Sequence, residues 1–501
     1  MNQILILLGM AFVDATPEQI AQALQSAQLA FLSFKNFSGK KKAEFLRAIA
    51  DEIEALGPEL VQTAVRETNL PEARIINERG RTTGHCRMFA DLVEAGSWVD
   101  ARVDTALPNR MPAPKPDIRK MLVPIGPVVV FGAANFPLAY STAGGDTISA
   151  LAAGCPVIVK AHPAHPGTSL LVATAVTKAA GRTGMPNAVF QHLFGASFEV
   201  GQALVKHPRT KAVGFTGSLA GGKALFDLAN QRPEPIPVFA EMSSINPVVL
   251  LPQSLQSSFA KTASMLASSI TLGVGQFCTN PGLILAVEGE GLNSFVAALA
   301  AEIKKSAPGT MLHQGIADNY ANRSQRTLTQ QGITVEAQSN EAGDAAQGRP
   351  MIVSVSAKEF LKNPLLAEEV FGPFSLIVKC ADRNELHTVV NLLHGQLTCS
   401  VMGSAEEIAE YESMINVLVE KAGRLIINGV PTGVEVCPSM NHGGPFPATT
   451  DSRFTAVGTD AIKRFARPVA FQNFPNALLP DELKDGNPLG IWRVVNGEFE
   501  K

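Results

Sequence analysis

Pro127-Val128-Val129-Val130-Phe131, Pro156-Val157-Ile158-Val159-Lys160 and Lys211-Ala212-Val213-Gly214-Phe215 are three short apolar runs, and their spacing decides the fold. Their apolar residues follow one another without alternation, which predicts strands buried on both faces. Between and after them the period turns helical, over 138–153, 168–180, 199–206 and 221–230, with two further strands at 188–192 and 236–240. Strand–helix alternation with short connections predicts a parallel, doubly wound α/β sheet. Its ligand belongs at the carboxyl ends of the strands, and a nucleotide is the natural occupant.

Upstream, Thr16-Pro17-Glu18-Gln19 pairs a capping residue with a first-turn proline, and helical spacing continues through 40–56, 59–68 and 72–98. Residues 104–124 carry Pro108, Pro112, Pro114 and Pro116, which suits a strand-forming arm or linker. Downstream, a second α/β unit follows Asn246, with a helix at 255–272, a strand at 283–287 and a helix at 292–306. Residues 336–349 read as an exposed loop. A further alternation from Met351 ends in a strand at 425–428, a long loop covers 431–451, and the tail combines a strand at 469–471 with polar loop.

A chain of 501 residues, 46% apolar and 17% charged, holds two or three domains with ample core. The net charge of −3 argues against a nucleic-acid partner. Six cysteines without a Cys-x-x-Cys pair read as reduced thiols in the cytoplasm. The close pair His162 and His165, separated by Pro163 and Ala164, lacks a third ligand nearby, so no metal is expected. The apolar stretch 4–12 is too short to span a bilayer and no Lys or Arg precedes it; it reads as a structured segment.

The candidate chemistry lies at strand ends and turns. In Gly275-Gln276-Phe277-Cys278-Thr279-Asn280-Pro281-Gly282 a thiol sits among small and turn-forming residues, where a substrate can approach a nucleophile. Asn135 ends the first strand of the sheet and can donate to a developing oxyanion. Glu241 follows an apolar strand and can serve as a general base if burial raises its pKa. Lys160 closes the second strand, and Gly217-Ser218 join a strand to a helix, where backbone N–H groups face a phosphate. Glu369-Val370-Phe371-Gly372-Pro373 offers a carboxylate and a ring beside a turn. Gly217 to Lys223 nearly spells a nucleoside-triphosphate loop, but Ala224 lacks the hydroxyl such a loop needs. Taken singly, each signal has an ordinary structural explanation.

Their order and spacing together resemble the aldehyde dehydrogenase superfamily over nearly the whole chain. The resemblance implies a Rossmann-like cofactor domain (1–103 and 125–250), an α/β catalytic domain (251–455) and an oligomerisation arm (104–124 and 465–490), assembled as a homodimer or homotetramer. It implies that Cys278 is the thiolate nucleophile and that Asn135 and the Cys278 N–H form the oxyanion hole. Glu241 would activate the deacylating water, while Lys160, Gly217, Ser218, Glu369 and Phe371 hold the cofactor. The family's Pro-Trp-Asn is Ala133-Ala134-Asn135 here, and its Glu-Leu-Gly-Gly is Glu241-Met242-Ser243-Ser244. Where many NAD-dependent members carry a ribose-binding Glu, this chain has Pro163, which removes a charge that would repel a 2′-phosphate and permits NADP as well as NAD. The cysteine loop and His442-Gly443-Gly444-Pro445-Phe446-Pro447 look like one subgroup, whose members oxidise 2-oxoglutarate semialdehyde or, with NADP, fatty aldehydes. The first is the expected substrate, with Arg81 or Arg87 as the cation meeting its carboxylate. The alternatives are the fatty aldehyde enzyme, an inactive scaffold, which the intact Asn135, Glu241 and Cys278 disfavour, and an acyl transferase to coenzyme A, which Glu241 disfavours.

Overall fold

The computed structural model describes residues 12–501, so the apolar stretch at 4–12 lies, up to residue 11, outside the described residues. The three apolar runs form the middle of a five-stranded, wholly parallel sheet. Its order is Phe190–Leu193, Val157–Lys160, Val128–Phe131, Ala212–Thr216, Val238–Glu241. The chain winds outward from Val128–Phe131 in one direction and then returns to its other side. The carboxyl ends of Val128–Phe131 and Ala212–Thr216 therefore flank the switch point where such sheets bind ligands. Helices Gly39–Ala55, Glu72–Ala95 and Pro166–Arg182 cover one face through Phe45, Ile49, Phe89 and Val172, all essentially without solvent exposure.

One predicted helix is shorter than its pattern. Residues 138–144 are turns and the helix is Gly145–Ala153. Pro137 has no N–H, and the Leu138 and Ala139 amides donate to Glu78 Oε1 at 2.8 and 2.9 Å, so this backbone is committed before a helical turn can close.

The second sheet has seven strands, in the order Thr334–Gln338, Met351–Ser356, Phe374–Cys380, Leu283–Val287, Val248–Leu250, Gln396–Met402, Ala422–Ile427. All pair in parallel except the edge strand Thr334–Gln338, which lies antiparallel to its neighbour where an exposed loop was expected. A third, five-stranded sheet joins the Pro-rich arm to the tail. Ile118–Pro124 pairs antiparallel with Ala466–Gln472 along its full length. Arg102–Asp104, Arg493–Val495 and Glu498–Glu500 complete it, so the tail carries two strands beyond the one its sequence suggested.

Candidate active site

The cysteine loop is held rigid from both sides. Gly273, Val274 and Gly275 turn the chain with φ of 54°, 60° and 65°. Glycine is required at 275 because a Cβ there would lie 2.2 Å from the Gly372 carbonyl carbon and oxygen. The Cys278 carbonyl accepts from Asn246 Nδ2 at 2.9 Å, and Asn280 Nδ2 donates to the Gly372 carbonyl at 3.1 Å. These contacts bring Phe371 and Gly372 beside the cysteine, although they are 93 and 94 residues away in the chain.

The long loop at 431–451 delivers a residue the sequence did not single out for chemistry. Met242 N donates to the Ala448 carbonyl at 2.8 Å and Thr450 N to the Ala240 carbonyl at 3.1 Å, which stitches the loop to Val238–Glu241. His442 is thereby lodged between the expected nucleophile and the expected base. Its Nε2 is 3.5 Å from Cys278 Sγ and 3.2 Å from Glu241 Oε1. His442 and Glu241 are buried, whereas Cys278 is half-buried. One donor atom from each of the three lies within 4.8 Å of the others.

Two expectations about charge are corrected here. Cys278 is not a resting thiolate: burial, followed by the charge and hydrogen bonding of Glu241, pushes its thiol well above the ordinary value, with Arg81 acting the other way. Glu241 does not titrate high. Burial pushes its carboxyl up, but the pull of His442 and the hydrogen bonds from His442 and Cys278 outweigh it, leaving a net fall below the usual carboxylate value.

Asn135 lies beside the cysteine loop. Its Nδ2 donates to the Gln276 carbonyl at 3.1 Å, which uses one of its two N–H bonds and leaves the other. On the cofactor side, Lys160, Gly217 and Ser218 stand at the carboxyl edge of the parallel sheet, while Glu369 and Phe371 come from the loop before Phe374–Cys380. Ser218 caps the helix Leu219–Asn230 by accepting from Gly221 N at 3.2 Å. A Cβ on Gly217 would meet the Phe215 ring at 2.7 Å, so the turn stays bare. Glu369 Oε2 accepts from Ser243 Oγ at 2.8 Å, and burial pushes its carboxyl up to about 7. A bare strand-to-helix turn, a cation at a strand end and a carboxylate on the facing loop fit the phosphates and ribose of a dinucleotide.

The opposite approach to Cys278 is a cleft of about 550 Å³, lined by Arg74, Arg81, His85, Phe136, Phe277 and Val434 among others. Arg81 lies in it as expected. Arg87 does not: six residues along the helix its side chain faces away, and it pairs with Glu54 at 2.9 Å and Asp51 at 3.4 Å. Arg74, which the sequence did not suggest, joins Arg81 in the cleft. The Arg74 guanidinium lies 5.0 Å from the Phe136 ring and 4.7 Å from the Phe277 ring, and its Nη2 donates to the Asn135 carbonyl at 2.6 Å. Arg424, from Ala422–Ile427, lies within electrostatic reach of Cys278 and Tyr140. For Arg74 a signal was readable: Arg74 and Arg81 stand seven residues apart, two turns of the helix Glu72–Ala95, and so share a face. For Arg424 no local signal existed, and His442 stood out only as the first residue of a loop motif, with no chemical role attached to it.

Residues 9–456 match the aldehyde dehydrogenase family. The chain is 50% identical over 489 residues to alpha-ketoglutaric semialdehyde dehydrogenase 2 of Azospirillum brasilense, covering 98% of this chain and 93% of that one. It is 46% identical over 490 residues to alpha-ketoglutaric semialdehyde dehydrogenase of Acinetobacter baylyi, with the same coverage. Among solved structures, a salicylaldehyde dehydrogenase of Pseudomonas putida G7 superposes with a TM-score of 0.78 at 19% identity, covering 92% of this chain and 91% of that one. A 1-pyrroline-5-carboxylate dehydrogenase does so at 0.76 and 20%, covering 92% and 86%.

Proposed function

The chain belongs to the aldehyde dehydrogenase family, and from that membership we propose that it oxidises 2-oxoglutarate semialdehyde to 2-oxoglutarate through a thioester on Cys278. The observation that carries the substrate is the cleft beside Phe277, whose Arg74 and Arg81 lie within electrostatic reach of Cys278. It suits a short aldehyde with a carboxylate at its far end, which is also what the names of the two relatives describe. The tail of a long-chain aldehyde would meet Phe136, Phe277 and Val434 there, but it would desolvate these guanidinium groups without pairing them.

The thiol rests protonated, so attack on the aldehyde carbon needs a base. With its own proton on Nδ1, His442 is placed to take the thiol proton at Nε2, 3.5 Å from Sγ, and the imidazolium so formed then donates to the Glu241 carboxylate at 3.2 Å. As Sγ bonds to carbon, the carbonyl oxygen gains charge, and the free N–H of Asn135 together with the Cys278 N–H stabilise it. The nicotinamide, when bound, accepts the hydride that leaves this carbon. Glu241 then takes a proton from water attacking the thioester, and the sulfur leaves with a proton returned by His442.

Lys160, Gly217, Ser218, Glu369 and Phe371 would hold the dinucleotide. NADP is the proposed form, with NAD also used, because Pro163 places no carboxylate beside Lys160. The domain division stated above and the homo-oligomer belong to the same reading. The arm sheet leaves Trp492 54% and Phe499 80% exposed, which suits a surface that a second copy covers. All six cysteines are unpaired, as a cytoplasmic setting would have them, and among the described residues no helix is long and apolar enough to cross a membrane.

Steady-state rates for 2,5-dioxopentanoate and a long-chain aldehyde, each with NAD and NADP, test the proposal. The five-carbon substrate is expected to have the higher kcat/KM; the reverse order would overturn the substrate. Cys278→Ala is expected to abolish oxidation, and normal activity in that variant would overturn the mechanism.

A further inference from the structure

We infer that Arg81 and Arg424 form a two-armed seat for the substrate carboxylate and thereby decide which aldehydes present their carbonyl to Cys278. This rests on reading the chain as a dehydrogenase of a carboxylate-bearing aldehyde. The two residues come from distant elements, the helix Glu72–Ala95 and the strand Ala422–Ile427, and hold the same short strap of backbone. Arg81 Nη1 donates to the Val434 carbonyl at 2.5 Å, while Arg424 Nη2 and Nη1 donate to the Pro431 and Gly433 carbonyls at 2.8 and 3.2 Å. Each keeps a buried Nε without a hydrogen-bond partner. Among the described residues neither makes an ion pair. Both act electrostatically on Cys278 and on Tyr140, which packs on the His442 ring at 6.3 Å.

Other charged groups at the cleft are tied to the protein itself. Arg74 also keeps a buried Nη1 without a partner, but its guanidinium is sandwiched between Phe136 and Phe277 and bonded to Asn135, so it positions the oxyanion donor and the cysteine loop. Glu78 spends Oε1 on two backbone amides, and burial pushes its carboxyl up, so it offsets little of the cationic charge. Glu435 is exposed at the mouth and folds back on the Val436 amide at 3.2 Å. Two guanidiniums with unmet donors, fixed by backbone carbonyls and lacking an acidic partner, are preorganised for an anion. An anion that bears an aldehyde a few carbons away would then be held with that aldehyde near the sulfur.

The test uses two five-carbon aldehydes differing only at the far end, 5-oxopentanoate and pentanal. The readout is the ratio of their kcat/KM values. Loss of a positive charge near the thiol slows both aldehydes alike and cancels in the ratio, whereas loss of the seat does not. Arg81→Gln and Arg424→Gln are each expected to lower the ratio about 10- to 100-fold, as expected for a hydrogen bond to a charged group, and the double variant further. A ratio unchanged in both singles and the double, or a wild-type enzyme that does not prefer 5-oxopentanoate, overturns the seat.

Should a variant lose all turnover, protection of Cys278 from iodoacetamide by glutarate gives a second readout. Glutarate is expected to protect the wild type and not the variants, and equal protection overturns the seat. Failure of the substrate proposal looks different: the wild type would prefer 5-oxopentanoate to pentanal yet turn over 2,5-dioxopentanoate poorly, and the seat would stand.

Discussion

Replacing Glu241 with Gln should make Cys278 more reactive and the enzyme less active. Glu241 is the principal group, after burial itself, that holds the thiol protonated. Its carboxylate oxygen lies within 4.8 Å of Sγ. Two unit charges at that separation interact by about 3.5 kcal/mol at an effective dielectric constant of about 20, and losing that repulsion favours the thiolate. Half of that effect would still raise the thiolate fraction at neutral pH more than ten-fold. Glu241→Gln is therefore expected to be alkylated by iodoacetamide at least ten-fold faster than the wild type at pH 7.5. The same variant loses the base proposed for thioester hydrolysis, a step to which a general base contributes about 10²- to 10⁴-fold. Steady-state oxidation should fall by that order, while rapid mixing shows a burst of reduced cofactor near one per active site. Slower or unchanged alkylation would refute the reasoning, because Glu241 would then be needed to make the thiolate. Fast alkylation without a burst would refute its role in hydrolysis.

Three further outcomes follow from the same geometry. His442→Asn removes the group 3.5 Å from Sγ and should suppress the burst itself, not only the later turnover, when followed by stopped flow. Glu369 carries a carboxyl raised to about 7 from an ordinary 4.5, so it is mostly protonated at pH 6 and ionised at pH 8. If its carboxylate grips ribose hydroxyls, cofactor affinity measured by fluorescence titration should rise several-fold across that range, and Glu369→Gln should flatten the profile. By linkage the raised carboxyl also makes the fold progressively less stable as pH rises from about 4.5 to about 7, a loss that Glu369→Gln should remove in thermal melts. Gly275→Ala would put a Cβ 2.2 Å from the Gly372 carbonyl at a φ of 65°. It should cost roughly 1–3 kcal/mol in backbone strain alone and lower both Tm and activity; an unchanged Tm would mean that the two loops are not locked together.

The strands of the parallel sheet were legible because burial on both faces leaves an unmistakable apolar run, as at Val128–Phe131 and Val157–Lys160. The false helical start at 138–144 failed for a reason outside its own pattern. The acceptor that captures its amides is Glu78, on another helix. Arg81 and Arg87 were indistinguishable by composition, since both lie on one helix with similar neighbours. Only packing directs the first to the cleft and the second to Glu54.

Cys278 was the first residue to stand out, and the sequence alone marked it, with Asn135 and Glu241, as the place where chemistry would occur. It did so through the order and spacing of these residues and the family they resemble, since each alone has an ordinary structural explanation. What the tertiary structure decided was the state and the company of that thiol. His442 lies 164 residues from Cys278 and 201 from Glu241 in the chain, and no local spacing could have joined them. The same long-range closure buries the sulfur beside a carboxylate, so that it rests as a thiol and not as a thiolate. A protonation state is set by desolvation and by every charge within several ångströms, and those neighbours exist only once the chain has folded.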